Sequence, residues 1–211
     1  MIHIENAHPS LNHFLNIFSA SYYYPGVKKL IITKIHQCIV CAKTHIRPNF
    51  NIHKGTQRSY VPTCPRTSIS VDIIPRLNDT TEGNNHILLI VDNFSRYGSA
   101  CLMKDKTQNS ILNALKNYFL IQGVPQHIYS DSETSIISAC QKLMDYFNFI
   151  LQTSPAQSQH KNRAENCFKD LKNIIKKVLY EPKNQLVSSD WDLALIYALG
   201  IFNNMPLHSS R

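Results

Sequence analysis

Ile69-Ser70-Val71-Asp72-Ile73-Ile74 is the stretch on which the fold turns. Ile69, Val71 and Ile73 alternate with Ser70, Asp72 and Ile74, which is the period of a β-strand and sets Asp72 on the face opposite three apolar side chains. Aspartate is depleted in strands and costly there unless it is solvated, paired or metal-bound. Asp72 is therefore a candidate functional group from the outset.

Downstream, after a loop at 76–85, two further strands are expected at His86–Val91 and Gly98–Met103. A helix from about Thr107 presents Ile111, Leu112, Leu115 and Phe119 on one side and stops at Gly123, with Pro125 enforcing the stop. His127–Ser130 reads as a short strand ending at Asp131. Ile136, Cys140, Leu143, Met144 and Phe147 then form one helix face, and a short strand runs through Phe149 and Leu151. After a loop at 154–162 comes a long helix with Ala164, Phe168, Leu171, Ile175 and Val178 as its apolar stripe. Glu165, Lys169, Lys172 and Lys176 fall on a neighbouring face. A last helix covers Asp190 to about Asn204. This order predicts an α/β domain with helices packed on a mixed sheet.

Upstream the character changes. Residues 10–19 read as a short helix with Ser10 as N-cap and Leu11, Phe14, Leu15 and Phe18 on one face. Pro25-Gly26 interrupts the chain, and Val27, Leu30, Ile31 and Ile35 carry a second helix into Cys38. The following segment, with Pro48, Pro62 and Pro65 and no clear period, reads as a linker. The expected organisation is a small helical domain at 1–47, a linker at 48–66 and the α/β domain at 67–211.

The 211 residues are 43% hydrophobic and 17% charged, a composition that excludes disordered, collagen-like and low-complexity chains. No stretch reaches the ~18 apolar residues of a membrane span, and the N-terminus has neither the basic nor the apolar part of a secretory signal. An intracellular protein without a membrane partner is expected. The net charge of +8 and the isoelectric point near 9.2 favour a polyanionic partner.

Two groups of residues carry chemistry. His8 and His13, with four residues between them, and the Cys38-x-x-Cys41 pair supply two imidazoles and two thiolates, the ligand set of a closed tetrahedral zinc site. A domain of about 45 residues is near the size at which a core alone is insufficient, so a metal staple suits it. Ordinary surface histidines beside a chance thiol pair are the bland alternative, and His36 and His45 are rival ligands. The second group is Asp72, Asp131 and Glu165, drawn from separate elements. Carboxylates converging in this way hold two Mg2+ ions ~3.5–4 Å apart, which activate an attacking oxygen and stabilise a leaving one in phosphoryl transfer. Here too there is a bland alternative: Glu165 in a first helical turn is favoured by the helix dipole alone, and Asp131 suits a turn. Asp79, Asp92, Glu82 and Glu133 are rival acids.

These residues bear a resemblance. HPSLNH, YYYPGVKKLI and CIVC resemble the His-His-Cys-Cys zinc domain of the integrases of retroviruses and LTR retrotransposons, most closely gypsy-like elements. SVDII, LLIVDNFSRY, GVPQHIYSDSETS and QSQHKNRAENCFKDLK resemble successive blocks of the integrase catalytic core, so the likeness runs along nearly the whole chain. The resemblance implies an RNase H-like core, a mixed five-stranded sheet with flanking helices, behind the small zinc domain. It implies an Asp-Asp-Glu triad at Asp72, Asp131 and Glu165 with two Mg2+ or Mn2+ ions. Asp72 would bridge both ions, Asp131 would bind one and Glu165 the other. Lys169 and Lys172 match positions that contact the element's DNA, and Lys176 and Lys177 extend that strip. A merely solvated basic face is the alternative.

The implied reaction is metal-dependent trimming of DNA ends by water, followed by attack of each 3′-hydroxyl on target DNA. Double-stranded DNA, a homo-oligomer assembled on it, and the nucleus follow as expected partners and place of work. Three departures stand out. Asp131-Ser132-Glu133 lacks the glycine usual after the second aspartate; Arg163 replaces another glycine; and 33 residues separate Asp131 from Glu165, fewer than the common spacing. The chain ends at an end-of-core segment, Pro206–Arg211, which suggests a piece of a polyprotein or a captured host gene. A decayed or domesticated module that binds nucleic acid or protein, and a nuclease of the same fold, are the competing readings.

Overall fold

The structure is a computed structural model that describes residues 2–44, 62–74, 78–153, 159–184, 186–187 and 189–205, with the backbone alone at residue 2 and at 159–165. Most of the expected linker, His45 and the segment from Pro206 lie outside the described residues. The chain divides into two compact units, residues 54–170 and residues 1–53 with 171–211. The expected boundaries kept 171–211 with the sheet, whereas this division groups it with the N-terminal helices.

In the first unit, β1 (Ser68–Ile74), β2 (His86–Asp92), β3 (Gly98–Met103), β4 (His127–Ser130) and β5 (Ile150–Thr153) form a single sheet in the order β3-β2-β1-β4-β5. β1 pairs antiparallel with β2 and parallel with β4; β4 pairs parallel with β5. β1 and β2 are interior strands buried on both faces, which is why His86–Asp92 reads as a nearly unbroken apolar run. Parallel partners need long crossovers, and these are supplied by α5 (Gln108–Gln122) and α6 (Thr134–Met144).

One sheet face contributes Ile69, Val71, Ile73, Leu88, Ile90 and Ile128 to a core completed by Ile111, Leu115 and Phe119 of α5 and by Ile136, Cys140 and Leu143 of α6. The ends of α5 follow from sequence chemistry. The Thr107 hydroxyl accepts the Ser110 N–H, and Gly123 at φ +86° ends the helix in a conformation that costs other residues dearly.

The other unit contains α1 (Ile2–Glu5), α2 (Leu11–Ser21), α3 (Val27–His36) and α4 (Ile39–Thr44), the second half of α7 (Gln159–Tyr180), and α8 (Trp191–Asn204). Phe14, Ile31, Val40, Leu171, Val178, Trp191, Leu195 and Phe202 are among its buried apolar residues. α1 and α4 are too short to have left a periodic signal in the sequence. α7 starts at Gln159, within the segment expected to be loop, so Glu165 stands in its second turn and not its first. The dipole argument for an acid at that position weakens accordingly, because the effect falls off beyond the first turn.

Candidate metal centre and carboxylate site

The ligating atoms of His3, His8, Cys38 and Cys41 all lie within 4.8 Å of one another. His8 Nδ1 stands 3.1 Å from Cys38 Sγ and 3.1 Å from His3 Nε2, and Cys41 Sγ is 3.3 Å from His3 Nε2. Ligands in a tetrahedral zinc site are separated by about 3.3–3.8 Å, given Zn–N near 2.0–2.1 Å and Zn–S near 2.3 Å. The group fits a His-His-Cys-Cys zinc site in both chemistry and spacing.

Local structure explains the convergence. After α1, Ala7 and His8 both adopt left-handed backbone conformations, φ +49° and +54°. Their N–H groups bond back to Ile4 and His3 carbonyls at 3.0 and 2.8 Å. That turn swings the His8 ring back onto His3, edge to face, with ring centroids 4.8 Å apart. Cys38 ends the turn after α3, with its N–H on the Ile35 carbonyl, and Cys41 lies inside α4. Burial, reinforced by the neighbouring His8 and Lys177, pushes the His3 imidazole down to about 4, which keeps it in the neutral form that coordinates metal. Burial and the adjacent Cys38 thiol push Cys41 up to about 11.

This set corrects one expected ligand. His13 lies on α2 outside the group, with its Nδ1 3.2 Å from the Ser10 hydroxyl, and His3 takes the place expected for it. The physical reason is that His3–His8 and His8–His13 have the same spacing, so spacing alone cannot choose between them. His36 is exposed on α3 and is not in the group.

The carboxylates lie in the sheet unit. The last register pair between the parallel strands β1 and β4 is Val71 with Ser130, and the next residue on each is Asp72 and Asp131. The two acids thus occupy neighbouring positions towards the carboxyl ends of parallel strands, the usual place for ligands in α/β sheets. Both are half-buried. Asp72 Oδ1 accepts the Ile73 N–H at 2.9 Å, and Asp131 Oδ1 accepts the Glu133 N–H at 3.3 Å. Glu165 is placed by its backbone on α7.

The rival acids have structural partners. Asp92 is buried and accepts the N–H groups of Arg66, Phe94 and Ser95 and the Ser95 hydroxyl, which fixes the turn after β2. Asp79 accepts from the Asn85 amide, and Glu133 pairs with Lys106 at 3.6 Å. Glu82 is exposed, 3.5 Å from the Asn84 amide. On α7, Lys169 and Lys176 are exposed and Lys172 is half-buried. Lys177, expected to extend that strip, donates instead to the His8 carbonyl at 2.5 Å.

The solved structure of the HTLV-2 integrase catalytic core domain in complex with magnesium, in its trimeric form, superposes with a TM-score of 0.54 at 20% identity, covering 70% of this chain and 92% of that one. The fold is that of a retroviral integrase catalytic core. The integrase likeness extends further along the chain in the simian T-cell lymphotropic virus intasome in complex with the PP2A regulatory subunit B56 gamma. That comparison gives a TM-score of 0.54 at 20% identity and covers 96% of this chain and 68% of that one. In sequence, the chain is 22% identical over 206 residues to Gypsy retrotransposon integrase-like protein 1 of Bos taurus. That match takes in 97% of this chain but spans only 40% of the relative's length. No family model matches the chain.

Proposed function

We propose that this chain is a gypsy-like retroelement integrase that binds double-stranded DNA and catalyses metal-dependent 3′-end processing and strand transfer. The observation that carries the reading is the side-by-side placement of Asp72 and Asp131 towards the carboxyl ends of β1 and β4 in an integrase-core sheet. The start of α7 at Gln159 adds to it, because it weakens the helix-dipole explanation for Glu165.

In this reading Asp72, Asp131 and Glu165 would together hold two Mg2+ or Mn2+ ions. Bound there, the ions supply Lewis-acid activation of the attacking oxygen and stabilisation of the leaving oxygen. The half-burial of both aspartates suits this role, since each keeps an accessible edge while the sheet fixes its position. Lys169, Lys172 and Lys176 bind DNA phosphates along α7 and hold the reacting end in register. His3, His8, Cys38 and Cys41 hold a structural zinc ion that organises the N-terminal helices. The domain limits 1–47, 48–66 and 67–211 belong to the same reading, as do assembly of several copies on DNA and work in the nucleus.

The Asp131-Ser132-Glu133 run favours a second reading, a decayed or domesticated module that binds without catalysis. There the N–H of Glu133 occupies Asp131 Oδ1, and Glu133 adds an acid where a glycine is usual.

The deciding experiment incubates the chain with Mg2+ or Mn2+ and a labelled duplex carrying the parent element's end sequence, with Asp131→Asn alongside. Trimmed or joined products absent from the variant are expected. Binding without product in both would refute the transferase and leave the module.

A further inference from the structure

The geometry points to Glu181 as a positioning residue for the metal centre, fixing the tautomer and orientation of His8 from the far end of the sequence. This rests on reading His3, His8, Cys38 and Cys41 as a zinc site. Glu181 directly follows α7, 173 positions from His8, and its Oε2 lies 2.6 Å from His8 Nε2. His8 is 1% exposed and Glu181 8%, so the pair is sealed from water.

The two ring nitrogens of His8 face different partners. Neutral imidazole carries a proton on one nitrogen and a lone pair on the other, so whatever accepts from one decides which faces a metal. Here a carboxylate accepts from Nε2–H, which leaves the lone pair on Nδ1, and Nδ1 is the atom 3.1 Å from both Cys38 Sγ and His3 Nε2. Carboxylate–histidine–metal relays of this kind raise the basicity of the ligand and hold its ring in place. A second contact anchors the backbone: Lys177, one turn earlier on α7, donates to the His8 carbonyl at 2.5 Å. Ring and backbone of one ligand are thus both held by the last turn of α7 and the residue after it. A carboxylate buried to this degree needs hydrogen-bond partners, and the His8 N–H on Oε2 supplies the short one, with the Lys183 N–H 3.4 Å from Oε1.

The test uses the full chain and measures zinc affinity by competition with a chromophoric chelator. Wild type is expected to bind a single zinc ion tightly, and Cys41→Ser to lose tight binding. Glu181→Gln should still bind, with affinity about 10–100-fold weaker, while the Tm of its zinc-free form stays near that of wild type. Unchanged affinity in Glu181→Gln, with binding lost in Cys41→Ser, would overturn the role of Glu181 and leave the metal centre standing. A Tm loss of the same size with and without zinc would mark a purely structural contact and overturn it too. Absence of zinc binding in wild type would remove the metal centre and the proposal together.

A measurement on the wild-type chain needs no variant to fold. Long-range 1H–15N correlation of the zinc-loaded chain should show His8 bound through Nδ1 with its proton on Nε2. The reverse tautomer overturns the proposal.

Discussion

Replacing His3 by Asn separates the ligand group that the structure brings together from the one that spacing suggests. The substitution removes one of four converging ligands and leaves His13 intact, and His13→Asn does the converse. With free zinc buffered a hundredfold above the wild-type Kd, binding stabilises the native state by about 2.7 kcal/mol. A unit of about 60–100 residues shifts its Tm by about 4–8 °C per kcal/mol, so wild type should show a zinc-dependent rise of about 10–20 °C. The unit that gains it is formed by residues 1–53 and 171–211. A ligand loss that weakens binding a hundredfold leaves about 0.4 kcal/mol, a rise of about 2–3 °C. His3 also packs against Phe14, with ring centroids 5.7 Å apart, so the zinc-free Tm will fall somewhat as well. The increment between zinc-buffered and chelator-treated samples cancels that loss, and differential scanning calorimetry reads it directly. His13→Asn should keep the full increment. If His3→Asn keeps it while His13→Asn loses it, the assignment of His3 is wrong. If both keep it, the four-residue group is not the metal site.

Three further outcomes are expected. Leu115 is fully buried between α5 and the sheet, so Leu115→Ala should cost about 2–5 kcal/mol in urea unfolding, and a cost below about 1 kcal/mol would contradict that packing. Hydrogen bonds from Ser110 and Thr107 hold the Asp105 carboxyl down at about 2. Its folded value lies below its unfolded one, so its stabilisation is complete above the ordinary carboxylate range and is lost as pH falls towards about 2. The stability gap between wild type and Asp105→Asn should therefore narrow steadily from about pH 5 downwards, and a gap independent of pH would refute the bonded turn. Lys169→Gln and Lys172→Gln should each lower the slope of log affinity for DNA against log salt by about 1; unchanged slopes would take the strip out of the DNA interface.

Much of the sheet unit was legible because its signals are local. The alternation through Ile73 set Asp72 on the face opposite Ile69 and Val71, and the structure makes that stretch the strand β1. Thr107 and Gly123 bound α5 where their chemistry says they should. The short strand read at His127–Ser130 placed Asp131 at its end, and β4 spans those residues. The start of α7 was not legible, because residues 159–163 are polar and an apolar stripe begins only at Ala164.

The sequence by itself determined that a folded, basic α/β chain carries Asp72 in a strand and Asp131 just after one, a Cys-x-x-Cys pair and histidines at coordinating spacing. Period, capping and composition act over a few residues, and they are written in the chain. Only the tertiary structure decided that His3 and not His13 completes the metal group, because equal spacing leaves the choice to the left-handed turn at Ala7 and His8. Only the tertiary structure brought Glu181 onto His8 across 173 positions. A contact between residues so far apart depends on how helices pack, and no local periodicity encodes it.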